Sequence, residues 1–144
     1  MNDADGATRV LVVAHKTAAT KPLIDAVRER AARGPSRFTL LVPKAARGLH
    51  KVVDPEDQSD EEPQQVLDHA LPLLREAAGS EVEGMIGSDH DPHLAIEDAV
   101  NAHGFDEIII STLPARVSRW LKLDLPSKVS GLGKPVHTVT PADD

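Results

Sequence analysis

The chain of 144 residues has no cysteine and no tyrosine, and its aromatic side chains besides histidine are Phe38, Phe105 and Trp120. Without cysteine it can build neither a disulfide framework nor a thiolate metal site. With so few aromatic faces it lacks the stacking platform that single-stranded nucleic acid requires. A net charge of −7 argues the same way, because nucleic-acid binders present basic surfaces. The longest apolar runs, 10–14 and 108–110, are too short to span a bilayer. The opening MNDADGATR has no basic and apolar leader. These absences lead us to expect a cytoplasmic protein with no nucleic-acid or membrane partner. Glycine is also missing between Gly104 and Gly131.

Hydrophobic residues make up 40% and charged residues 27% of the chain, ordinary values for a folded domain. We expect a single domain over 1–144, with 44–62 a flexible acidic loop. That loop crowds Asp54, Glu56, Asp57, Asp60, Glu61 and Glu62 together, a pattern more typical of solvated chain than of a calcium loop. The charge is distributed unevenly. Residues 1–62 carry ten acids and ten bases; 63–112 carry ten acids and one base; 113–139 carry five bases and one acid. An anionic ligand would favour the last stretch, although exposed Lys and Arg more often only face water.

Apolar, β-rich runs alternate with helical patterns. Strands are expected at 9–14, 37–42, 81–86, 106–111 and 135–139. Between the first two lies a helix starting near Thr20, with Leu23, Ala26, Val27 and Ala31 at helical spacing. Pro63 opens a second helix ending at Gly79, which Pro72 should kink or divide. Asp91 and Pro92 form a cap and first position for a third, closed by Gly104. A shorter helical region covers about 117–130, broken near Pro126. Such alternation implies parallel pairing with helices on both faces. The expected fold is α/β: an open, doubly wound five-stranded parallel sheet in three layers, α/β/α. A ligand would sit at the carboxyl ends of its strands.

Three stretches carry a resemblance: VLVVAHKT at 10–17, MIGSDHDPHLAIEDA at 85–99, and 108–139 with the Pro-Val that starts its final strand. In their order and spacing they resemble the universal stress protein family, within the wider group of adenine-nucleotide-binding α/β folds. The resemblance covers nearly all of the chain except the acidic loop. It implies a Rossmann-like fold, a role in stress response, and a homodimer through the C-terminal strand.

ATP-binding members carry glycine, two residues, glycine, nine residues, glycine and then Ser or Thr after the fourth strand. Here those positions hold Ser111, Pro114, Asp124 and Leu125, and the acidic residue that follows the first strand in binders is replaced by His15. Phosphate cradles depend on backbone amides brought close by glycine, and Pro114 has no amide hydrogen. We therefore read the ATP site as degenerate and count no cofactor as certain, with ATP or another adenine nucleotide left open as the alternative.

Three constellations stand out. His15, Lys16, Thr17, Ser111, Thr112 and Arg116 would rim one crevice between neighbouring strands, where Lys16 and Arg116 could hold phosphate by charge. The plainer reading has Ser111 and Thr112 capping the next helix. The cluster from Ser88 to His93 could suggest zinc, but Asp91-Pro92 reads better as a helix start, and no metal is assigned. The stretch from Arg116 to Leu125 is amphipathic; Trp120 packs into the core or, alternatively, anchors a lid or a protein partner. No nucleophile–base pair is visible, so no catalytic residue is assigned. The expected function is a non-catalytic, dimeric module. The alternative is a nucleotide or phosphate sensor using Lys16, Thr17, Ser111, Thr112 and Arg116.

Overall fold

The computed structural model describes residues 7–15, 17–43, 63–87, 91–116 and 118–141. The acidic loop, Lys16, Val117 and the segment 88–90 lie outside the described residues.

Five parallel strands, β1 (Thr8–Val13), β2 (Ser36–Val42), β3 (Val82–Ile86), β4 (Glu107–Ser111) and β5 (Val136–Val139), form one sheet in the order β3-β2-β1-β4-β5. The helices are α1 (Lys21–Ala32), α2 (Pro63–Ala78), α3 (Pro92–His103), α4 (Arg119–Lys122) and α5 (Leu125–Ser130). This is the expected open α/β architecture.

Each central strand is apolar on both sides because helices cover both sides. In β1, Val10 and Val12 face α1 and α2 together with Phe38, Leu40 and Val82. Leu11 and Val13 face the opposite layer, where Ile96 of α3, Trp120 of α4 and Val129 of α5 meet Ile108 and Ile110. Fully burying one such side chain contributes about 1.5–3 kcal/mol, so the β1–β4 centre is where sequence hydrophobicity is converted into fold.

The helix ends follow their local chemistry. Asp91 accepts a hydrogen bond from His93 N at 2.9 Å, with Pro92 next to it at the first turn. Gly104 closes α3 at φ 71°, in the left-handed region that glycine enters most cheaply. Gly87 is small for a different reason: a Cβ there would lie 3.0 Å from Ala95 Cβ and 3.1 Å from Pro43 Cα. Its hydrogen atom lets the end of β3 slip beneath the start of α3.

One expectation changes in part. Pro72 does not divide α2, a single helix of 16 residues. The proline removes a hydrogen bond to the carbonyl of Asp68, and both residues are exposed, where water can serve that carbonyl. The last helical region is broken near Pro126 as expected, at Leu123 and Asp124. Pro126 sits in the first turn of α5, where its missing N–H would have no intrahelical partner anyway.

Candidate functional site

The carboxyl ends of β1 and β4 lie side by side, in register from Val10 with Glu107 to Val13 with Ile110. The chain leaving β1 makes a tight turn, with Ala18 N bonded to His15 O at 3.2 Å and Thr20 N to Thr17 O at 3.1 Å. The Thr20 hydroxyl also donates to Thr17 O at 2.8 Å. This turn carries Thr17 over the end of β4, where its hydroxyl lies 2.6 Å from that of Ser111. A short hydroxyl–hydroxyl bond thus joins residues 94 positions apart in sequence.

Thr112 extends the β4–β5 ladder, its N–H donating to Val139 O at 2.9 Å. Its hydroxyl bonds Leu113 O and the hydroxyl of Thr140, both at 2.8 Å. Thr140 had no sequence signal of its own; it becomes part of the site because the strand register places it beside Thr112.

The crevice residues are therefore mostly interior. His15, Thr17, Ser111 and Thr112 are 1%, 5%, 1% and 0% exposed. Arg116 is exposed at the surface, and Lys16 lies outside the described residues. Thr17 and Ser111 come together, with His15 and Thr112 buried at the ends of the same two strands, while Arg116 is exposed. Capping of the next helix is also reassigned: neither Ser111 nor Thr112 caps α4. Ser118 does, accepting a bond from Leu121 N at 3.2 Å. Trp120, at 1% exposure, packs into the core, which favours the structural reading of the amphipathic stretch over a lid or partner anchor. In the proposed zinc cluster, Asp91 is used as the α3 cap, while Asp89 and His90 lie outside the described residues.

Asp124 takes φ 58° and ψ 43°, a left-handed conformation that costs a non-glycine residue free energy. It is also the third glycine position of the nucleotide-binding pattern. A left-handed turn is present there, but an exposed aspartate holds it instead of a glycine.

The amino ends of the same strands are held by charge. Arg30 of α1 makes a two-pronged pair with Glu107, at 2.8 and 3.0 Å. Asp106 accepts from Arg9 N at 2.9 Å and donates its own N–H to Arg9 O at 2.8 Å. The Arg9 guanidinium donates to His103 O and stands 5.4 Å above the Phe105 ring. Such pairs, opposite the ligand-facing pole of a parallel sheet, fasten helix to strand.

No protein-family model and no curated protein matches this sequence. Solved structures do match it. A universal stress protein from Archaeoglobus fulgidus superposes with a TM-score of 0.61 at 16% identity, covering 92% of this chain and 93% of that one. The Archaeoglobus fulgidus universal stress protein in complex with dAMP gives 0.59 at 16% identity, over 92% and 97% of the two chains. A universal stress protein in complex with cAMP gives 0.58 at 12% identity, over 95% and 98%. Strand order, helix layers and the coverage of these matches agree: the chain has the universal stress protein fold over almost its whole length.

Proposed function

We propose that this protein is a universal-stress-like module of the stress response that works without catalysis, as a homodimer, with its adenine-nucleotide site degenerate. The observation that carries the reading is the 2.6 Å bond between Thr17 and Ser111, both at most 5% exposed. The hydroxyls that a phosphate would need are engaged with each other, and a ligand would have to break that bond without compensation from glycine amides. We take residues 1–144 as one cytoplasmic domain. No helix among the described residues is long and apolar enough to cross a membrane.

The dimer is assigned to β5. Both β3 and β5 are edge strands, and exposed edges pair unless guarded. β3 carries the exposed Glu83 at mid-strand, whereas β5 reads VHTV with no acid, lysine or arginine. Beside it an open groove of about 280 Å³ runs between Pro126, Ser127, Ser130, Val136 and Thr138. Thr138→Pro, which removes a ladder N–H from that edge, should give monomers in sedimentation; an unchanged dimer would exclude β5 as the interface.

A second reading is supported by the fold matches whose structures hold cAMP and dAMP. In it, the protein is a nucleotide or phosphate sensor that uses Lys16, Thr17, Ser111, Thr112 and Arg116, with the nucleotide in another pose. Calorimetric titration with AMP, cAMP, ATP and inorganic phosphate separates the two. The degenerate-site reading expects no saturable heat at ligand concentrations up to about 1 mM, equivalent to a binding free energy weaker than about −4 kcal/mol. A tighter isotherm that Lys16→Ala with Arg116→Ala abolishes would replace it with the sensor reading.

A further inference from the structure

The two helical layers distribute charge differently. On α1, opposite charges are interleaved and paired: Lys21 with Asp25 at 2.7 Å, and Arg28 with Asp25 at 3.6 Å. The layer of α3, α4 and α5 separates them. From 91 to 103 there are three acids and no Lys or Arg; from 119 to 130 there are three bases and one acid. The two halves adjoin, because α3 packs against α5 and α5 against α4.

Each half also exposes one large apolar side chain. Along α3, Asp91, Leu94 and Asp98 follow one another at helical spacing on the outward stripe, and Leu94 is 42% exposed. On α4, Arg119 and Lys122 precede Leu123, which is 44% exposed. A leucine set among acids and a leucine set among bases thus lie in the same helical layer.

We infer that this outer face binds a second copy of the chain, the acidic α3 stripe of each protomer resting on the basic α4–α5 stripe of the other. A surface with its two signs separated is complementary to itself when turned about a two-fold axis, so one contact type occurs twice. Charge complementarity supplies register and encounter rate, and the leucines supply burial. Size sets the strength. A 12-residue helix is ~18 Å long, and with its neighbours it offers roughly 400 Å² per partner, half of a standard interface. The contact is therefore weak and salt-sensitive. It is separate from the β5 edge, so both together would build assemblies larger than a dimer.

Sedimentation equilibrium at hundreds of micromolar chain tests it, in about 0.01 M and about 1 M salt, where the screening length falls from about 30 Å to about 3 Å. The average mass should rise to about twice the unit that persists in high salt, or beyond it. A shift that starts from monomer in high salt means that β5 does not pair, and one that starts from dimer that it does, so the two interfaces are judged separately. Asp98→Lys and Lys122→Glu should each weaken the low-salt association at least about tenfold, through like-charge contact. An equimolar mixture of the two variants should recover it, because each then offers what the other needs. Equal mass in both salts, or a mixture no more associated than its components, overturns the proposal.

Discussion

The two ends of the β1–β4 pair are fastened by opposite chemistries. At the amino end the fastenings are ionic or anchored by a carboxylate: Arg30 grips Glu107, and Asp106 bonds the backbone of Arg9. At the carboxyl end they are neutral: Thr17 with Ser111, and Thr112 with Thr140. The left-handed turns divide similarly. Where α2 and α3 turn toward the amino ends of β3 and β4, the turn residues are Gly79 at φ 69° and Gly104 at φ 71°. On the connection that leaves the carboxyl end of β4, the residue at φ 58° is Asp124. The amino end is built for stability, with strong pairs and relaxed turns. The carboxyl end, where ligands sit in folds of this kind, holds weaker bonds and a strained residue.

Breaking the amino-end lock should have the largest effect. Arg30 is 8% exposed, and Glu107→Ala would leave its guanidinium without its two-pronged acceptor. Loss of one partner from a fully buried pair costs about 3–5 kcal/mol, and the 30% exposure of the Glu107 side chain lowers that, to about 2 kcal/mol. The check is a urea denaturation midpoint. A loss below about 0.5 kcal/mol would mean that the pair behaves like an ordinary surface contact, and the contrast between the ends would fail.

The carboxyl end should respond less, and with a distinctive pattern. Ser111→Ala leaves the buried Thr17 hydroxyl without that partner, at a cost of about 1–2 kcal/mol. Thr17→Val leaves Ser111 in the same position. Together the two changes remove both polar groups from an interior site and should cost clearly less than the sum of the single losses. Denaturation of the three variants reads this directly. Strict additivity would mean that the 2.6 Å contact contributes nothing to stability.

Much of this frame was legible from composition and period. The expected strand at 9–14 forms at Thr8–Val13, and the one at 106–111 forms at Glu107–Ser111. The apolar runs mark them because strands buried on both sides need no alternation. The Asp91-Pro92 start and Gly104 end of α3 were legible for a local reason, since caps act within one turn. The Thr17–Ser111 bond was not legible as a bond. The sequence brings both residues to one crevice, but whether they face a ligand or each other depends on the turn geometry after β1. Pro72 misled because the usual penalty of an interior proline falls where the freed carbonyl reaches solvent. The break at Asp124 left no composition signal, because aspartate in the left-handed region is uncommon and Pro126 two positions later is the stronger punctuation.

The strained turn supports the smallest and most specific prediction. Asp124 N bonds Leu121 O at 3.0 Å, and Asp124 O accepts from Lys128 N at 3.2 Å, so the backbone there is determined by both short helices. Its side chain makes no capping bond to α5, so the carboxylate contributes little to holding the turn. Asp124→Gly would relieve a left-handed strain of about 1–2 kcal/mol at most. It would also add unfolded-chain freedom worth about 0.4–1 kcal/mol. The balance is a gain of about 0.5 kcal/mol, opposite in sign to the two changes above and within reach of a careful denaturation midpoint. The same substitution removes a negative charge and restores a glycine to the turn, so phosphate-bearing ligands should bind the variant at least as well as the parent. A variant that is less stable would show that the carboxylate holds the α4–α5 turn, and the carboxyl end would then be fastened by charge as the amino end is.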